Sequence, residues 1–174
     1  MSKIKLDIDG LIANFEGSAT KLHRNTGLGY VPKNFIATTY SFWSEWGISG
    51  NKFWSVIDNT PNFWENIEPY PYLDELLAVI PDYRILSTPR PTADCWSGKF
   101  KWVQKYLGED AAKDMILATK KWEIGGGILI DDFEKNVDNW NGDAILFPQE
   151  YNRNRGIENK VEFVKKELEM LLSN

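Results

Sequence analysis

Two apolar runs of strand length end in carboxylates, and they lie far apart in the chain. Residues 3–6 lead into Asp7-Ile8-Asp9-Gly10, and residues 127–130 lead into Asp131-Asp132. Ligands of open α/β sheets sit at strand ends, so each run delivers its acids to a place where chemistry happens. Residues two apart on a strand share a face, so Asp7 and Asp9 can point into one cleft. Four carboxylates meeting there repel one another unless a cation lies between them. Ligands that are all oxygen favour Mg²⁺ over a softer metal. The pattern therefore points to metal-assisted phosphoryl transfer.

Between and beyond these runs, strand patterns alternate with helical ones. Strands are expected over 3–9, 83–86, 115–118, 127–130 and 144–147. Helices are expected over 11–25, 72–80, 93–106 (closed by Gly108) and 134–140. A last helix carries an apolar stripe at Ile157, Val161, Val164, Leu168 and Leu171, too short for a coiled coil and suited to packing on the sheet. Such alternation predicts an α/β fold, a Rossmann-like, mostly parallel sheet with helices on both faces. Residues 16–69 break the pattern, being irregular and aromatic, with short helices near 42–46 and 52–57. They are read as a small helical cap inserted after the first strand and helix, with residues 1–15 and 70–174 as the core domain.

The totals narrow the chemistry further. A chain of 174 residues, 43% hydrophobic and 26% charged, has the make-up of a globular domain with a real core. A net charge of −5 gives no general footprint for a nucleic-acid polymer. Cys95 is the lone cysteine, which excludes an intrachain disulfide and a Cys-rich zinc site. His23 is the lone histidine, expected to be solvated or partly packed on an amphipathic helix. Proton transfer is thereby left to carboxylates. The absence of an apolar signal region and of any long apolar span predicts a cytoplasmic location and no membrane partner.

Four pieces in order, Asp7-Ile8-Asp9-Gly10, Ile85-Leu86-Ser87-Thr88, Lys120-Lys121 and Ile130-Asp131-Asp132, resemble the haloacid-dehalogenase superfamily of phosphatases. The sequence is closer still to the 5′(3′)-deoxyribonucleotidase family. Its opening motif resembles residues 7–15, including Phe15, and later landmarks resemble Phe42-Trp43, Ser87-Thr88-Pro89, residues 102–108 and residues 129–132. The resemblance implies that Asp7 attacks phosphorus, while Asp9 protonates the leaving oxygen and then activates water. It implies phosphate contacts from Ser87, Thr88, Lys99 and Lys121, with Lys121 ten positions before Asp131. It further implies Mg²⁺ on Asp7, Asp132 and the backbone of Asp9, with Asp131 in support and Gly10 giving the phosphate room. An Arg of the family, two positions before the phosphate-binding Lys, is Thr119 here.

The aromatic surplus has two readings, a compact cap core and a slot where a flat base stacks. Packing accounts for most of these rings. Resemblance selects Phe15, Phe42, Trp43 and Trp54 for the base. The expected activity is hydrolysis of deoxyribonucleoside monophosphates, with pyrimidines favoured, by a protein that admits a homodimer. A phosphatase for another small ester such as a sugar phosphate, or a silent binding protein of the same fold, stays open at this point.

Overall fold

Ile4 and Leu6 are buried on one face of β1 (Ile4–Leu6), the middle strand of a five-stranded parallel sheet. The structure, a computed structural model, describes residues 4–173. Lys3, expected at the start of this strand, lies outside the described residues. The other strands are β2 (Tyr83–Ser87), β3 (Ile116–Leu117), β4 (Ile128–Asp131) and β5 (Ala144–Leu146), in the order β3-β2-β1-β4-β5. Leu6 lies level with Ile85 on one side and Ile130 on the other. The carboxyl ends of β1, β2 and β4 therefore meet where the strand order reverses, the place for a ligand crevice in such a sheet.

Strand alternation assigns the two faces. Ile85, Ile128 and Ile130 join the large core cluster, while the intervening Leu86 and Leu129 join a second cluster with Trp140. Neighbouring strand residues point to opposite faces, so these clusters lie on opposite sides of the sheet. The large one is closed by α3 (Leu73–Val79), α4 (Ala93–Leu107) and α7 (Lys160–Leu172), through Leu76, Trp102, Val103, Val164 and Leu168. The small one is covered by α6 (Glu134–Asp138), which packs on β4 and β5, and by Trp140, whose indole donates to Gly127 O at 3.0 Å. Val161, Val164 and Leu168 are buried as the stripe requires, with α3 as the helix they lie beside; Ile157 precedes the Asn159 cap and stays outside the helix.

The chain departs from the expected elements just after β1. Helix α1 (Phe15–Asn25) starts four residues later than its apolar spacing suggests. Gly10 takes a positive φ of 71°, and the amides of Ile12 and Ala13 both turn back onto Ile8 O at 2.9 Å. Leu11, Ile12 and Ala13 are buried by that turn, and Asn14 caps the helix by accepting from Gly17 N at 2.9 Å. The outgoing and returning chains then lie side by side, with Asn14 N on Glu68 O at 2.8 Å and Tyr70 N on Ile12 O at 2.9 Å.

Between those crossings lie α1, a 3₁₀ turn at Phe42–Trp46, α2 (Gly50–Asp58) and a 3₁₀ turn at Trp64–Asn66. Phe53 centres their packing, its ring 4.6 Å from Trp43 and 4.8 Å from His23. His23 is 1% exposed, stacked on Phe53 at 3° with Nδ1 2.7 Å from the Tyr30 hydroxyl. That corrects the expectation of a solvated or partly packed histidine: stacking and a phenol partner let the ring sit inside. Phe42, Trp46, Phe63 and Trp64 are buried as well, whereas Trp43 and Trp54 remain half-buried. One further helix, α5 (Glu109–Asp114), follows Gly108 and was not anticipated.

Candidate active site

Asp7 follows directly on β1, its amide still bonded to Ile130 O at 3.0 Å. Its Oδ1 accepts from Ile8 N at 2.7 Å, and its Oδ2 lies 2.8 Å from Lys121 Nζ. Lys121 is wholly buried in a 3₁₀ turn (Lys121–Glu123) and also donates to Asp131 Oδ2 at 2.6 Å. Lys120 instead points to solvent and pairs with Glu123. Asp131 accepts further bonds from Phe133 N at 2.9 Å and from the Asn136 amide at 3.0 and 3.2 Å, so both of its oxygens are committed. Asp132 faces the cleft, with Oδ2 taking the Tyr151 hydroxyl and its backbone carbonyl held by Asn152 Nδ2 at 2.9 Å.

Asp9 keeps different company. Its Oδ2 pairs with Lys99, which also donates to Ser87 Oγ at 2.8 Å. Its Oδ1 is buried and has no hydrogen-bond partner among the described residues. Burial raises the Asp9 pKa, with Lys99 opposing and the charge of Asp7 adding to the rise. Burial likewise lifts Asp131 to about 6, against the pull of Lys121, and lifts Asp132 well above the carboxylate range with help from Asp131 and Asp7. Burial opposes the charge on Lys121, yet Asp131 and Asp7 together raise its pKa and hold it cationic.

Asp7, Asp131 and Asp132 each bring a carboxylate oxygen within 4.8 Å of the others. Lys121 neutralises one of these three charges, so the cluster carries a deficit that a divalent cation would fill. All its donors are oxygens, which suits Mg²⁺. Asp7 and Asp132 line the cavity whereas Asp131 does not, so the side chains that face a metal are those of Asp7 and Asp132. The residues fit the ion.

These groups open onto a cavity of about 250 Å³. The sheet side contributes Asp7, Asp9, Gly10, Ser87, Thr88 and Asp132, and the opposite wall contributes Phe15, Phe42, Trp43, Trp54 and Trp64. Lys99 and Lys121 lie behind the carboxylates rather than on the lining. Phe15 stacks with Trp64 at 5.5 Å and with Trp54 at 5.8 Å, and the Arg90 guanidinium sits 4.3 Å from the Trp54 ring. A Cβ on Gly10 would collide with the Asp132 carboxylate and the Tyr151 hydroxyl, so this glycine gives room to the acid as well as to the turn.

The sequence pattern of the family described as "5′ nucleotidase, deoxy (Pyrimidine), cytosolic type C protein" matches residues 1–172. The chain belongs to this deoxyribonucleotidase family. Membership makes it an enzyme of the phosphoric monoester hydrolase class. It is 30% identical over 135 residues to a protein of Bordetella pertussis provisionally named 5′(3′)-deoxyribonucleotidase, covering 74% of this chain and 73% of that one. It is 27% identical over 142 residues to the human cytosolic-type 5′(3′)-deoxyribonucleotidase, covering 75% and 70% of the two chains. A hydrolase from Streptococcus pneumoniae TIGR4 shares the fold, with a TM-score of 0.50, 14% identity and 99% coverage of both chains.

Each site residue that the resemblance implies in the deoxyribonucleotidase-like sequence lies at or directly behind the cavity, and Lys120, the neighbour of Lys121, lies away from it. Sequence reasoning passed over other lining groups: Glu16, Tyr40, Arg90 and Tyr151. It also passed over Asn136 and Asn152, which hold the acidic pair in place. Asn136 lies on a helix that was expected, five positions after Asp131; Arg90, Tyr151 and Asn152 come from irregular loops without a period to read.

Proposed function

We propose that this deoxyribonucleotidase-family protein is a Mg²⁺-dependent phosphomonoesterase that converts deoxyribonucleoside monophosphates, pyrimidines foremost, to nucleoside and inorganic phosphate. One observation carries the reading: two carboxylates of unlike environment open onto a cavity whose far wall is aromatic. In this reading residues 16–69 form the cap that supplies that wall, and the enzyme works in the cytoplasm, as the name of its cytosolic-type relative supports.

Asp7, oriented by Lys121 and the Ile8 amide, attacks phosphorus. A bond forms between its carboxylate and phosphorus as the bond from phosphorus to the ester oxygen breaks. Asp9, inclined by burial to keep a proton, gives it to the leaving oxygen. In the second half Asp9 takes a proton from water, whose oxygen displaces phosphate from Asp7. Ser87, Thr88 and the two buried lysines balance the phosphate oxygens. Mg²⁺ held by Asp7, Asp132 and the Asp9 carbonyl would offset the repulsion between nucleophile and phosphate. Trp43, half-buried with one ring face on Phe53, is the best-placed ring for a base, because Phe15 and Trp54 already stack on each other.

A panel of dTMP, dUMP, purine deoxynucleotides, sugar phosphates and p-nitrophenyl phosphate, with and without Mg²⁺, tests this. Base stacking favours dTMP and dUMP over sugar phosphates by about tenfold or more in kcat/KM. Chelation should abolish turnover. Sugar phosphates turned over as well as nucleotides would overturn the substrate assignment.

A further inference from the structure

Among the described residues Arg90 is the one arginine lining the cavity, and no part of the hydrolytic machinery uses it. It enters from the loop after β2, next to Thr88 and Pro89, and its guanidinium lies over the Trp54 ring at 4.3 Å. Asp58, at the end of α2, accepts from Nη2 at 2.5 Å and fixes the plane. Both partners of this pair are about one-quarter exposed, with side-chain values of 27% and 26%, so the contact is well shielded from water. The remaining side-chain donors are unspent: among the described residues Nη1 makes no hydrogen bond, and Nε is buried without a partner.

We infer that Arg90 is a specificity residue that donates to a carbonyl oxygen on the nucleobase, an inference that rests on the nucleotidase reading. Two facts choose a carbonyl over a second anion. The Asp58 carboxylate already cancels the guanidinium charge, which leaves a neutral unit with an outward N–H dipole. Arg90 is also joined to the aromatic wall through Trp54 rather than to the phosphate side, where Lys99 and Lys121 supply the cations. A base stacked along that wall brings its edge to the guanidinium. Uracil, thymine and guanine carry a carbonyl to meet it, and adenine carries none. Where those bases carry the exocyclic carbonyl oxygen, adenine carries an amino donor, and a donor facing a donor leaves the guanidinium unpaired.

The test compares kcat/KM for dUMP, dGMP, dAMP and p-nitrophenyl phosphate in the full-length protein and in Arg90→Met, which keeps a stem over Trp54. The dGMP:dAMP ratio separates the carbonyl from ring size, since both bases are purines. The wild-type protein should favour dUMP and dGMP over dAMP, and Arg90→Met should lower both ratios by about tenfold, the upper end of what an ordinary hydrogen bond contributes. The loss should appear mainly in KM, with p-nitrophenyl phosphate hydrolysis unchanged. Because each ratio is measured within one protein, a partly unfolded variant cannot mimic the effect. Ratios unmoved by Arg90→Met would overturn the inference while leaving the nucleotidase reading intact. A fall on p-nitrophenyl phosphate equal to that on dUMP would also overturn it, by placing Arg90 at the phosphate. A wild-type protein that prefers no nucleotide over the base-free ester would overturn the nucleotidase reading itself.

Discussion

Asp7 and Asp9 stand two residues apart yet are held by different lysines, Lys121 for the first and Lys99 for the second. Two carboxylates in unlike surroundings can divide the labour of one reaction, one staying anionic and the other holding a proton. Asp7→Asn should therefore remove nearly all turnover while thermal melting shows an intact fold. Asp9→Asn should also turn over poorly, yet still bind beryllium fluoride through Asp7. Substantial activity left in Asp7→Asn would end the aspartyl-phosphate mechanism. At this scale the carboxylates and Ser87 were legible because each ends an apolar run that sets its place, and Lys121 only through its family spacing of ten positions before Asp131. Arg90, Glu16 and Tyr151 were not. They reach the cavity from loops or from a helix's first turn, where no hydrophobic period marks which way a side chain faces.

At the scale of elements, the strands of the sheet and the helices on it, α5 apart, could be read to within a few residues, because burial on both sides of a parallel sheet leaves continuous apolar runs. The failure after β1 has the same cause. Leu11, Ile12 and Ala13 are apolar because a buried turn needs them, and a helical period cannot tell such a turn from a first helical turn. The aromatic segment gave its composition but not its packing, since which ring turns inward depends on contacts far apart in sequence. One such contact is sharply limiting. A Cβ on Gly98 of α4 would come within 2.6 Å of Trp64 Cβ and 3.1 Å of Glu65 N. Gly98→Ala must push the Trp64–Asn66 turn away from α4, at a cost of about 1–3 kcal/mol for overpacking. Trp64 stacks on Phe15, so the shift also reaches the cavity wall. Urea unfolding should show the lost stability, and KM for nucleotides should rise more than KM for p-nitrophenyl phosphate. An unchanged unfolding midpoint would mean that α4 and this turn are not rigidly packed.

For the whole molecule, the sheet topology that builds the site also concentrates negative charge at one edge of an already acidic chain, whose net charge is −5. Asp131, lifted to about 6, and Asp132, lifted further, bind protons more tightly in the folded protein than in the unfolded chain. Folding without metal is therefore favoured most below the unfolded carboxylate range near 4, and this contribution is lost as pH rises through the folded values. Mg²⁺ at the proposed site would act in the opposite sense, because it would bind the deprotonated carboxylates and replace the missing protons. Metal-free protein should then melt at a lower temperature at about pH 7.5 than at about pH 5.5, and saturating Mg²⁺ should remove most of the difference. At about a hundred times its Kd the ion would add roughly 2.7 kcal/mol, or about 5–10 °C in Tm for a chain of this size. Asp132→Asn removes one of the raised acids and one ligand together, so it should flatten the metal-free profile and shrink the Mg²⁺ shift. Thermal melts of both proteins across that pH range, with and without Mg²⁺, decide the matter. A Mg²⁺ shift that does not grow with pH, or one that survives Asp132→Asn at full size, would show that the ion binds somewhere other than this acidic edge.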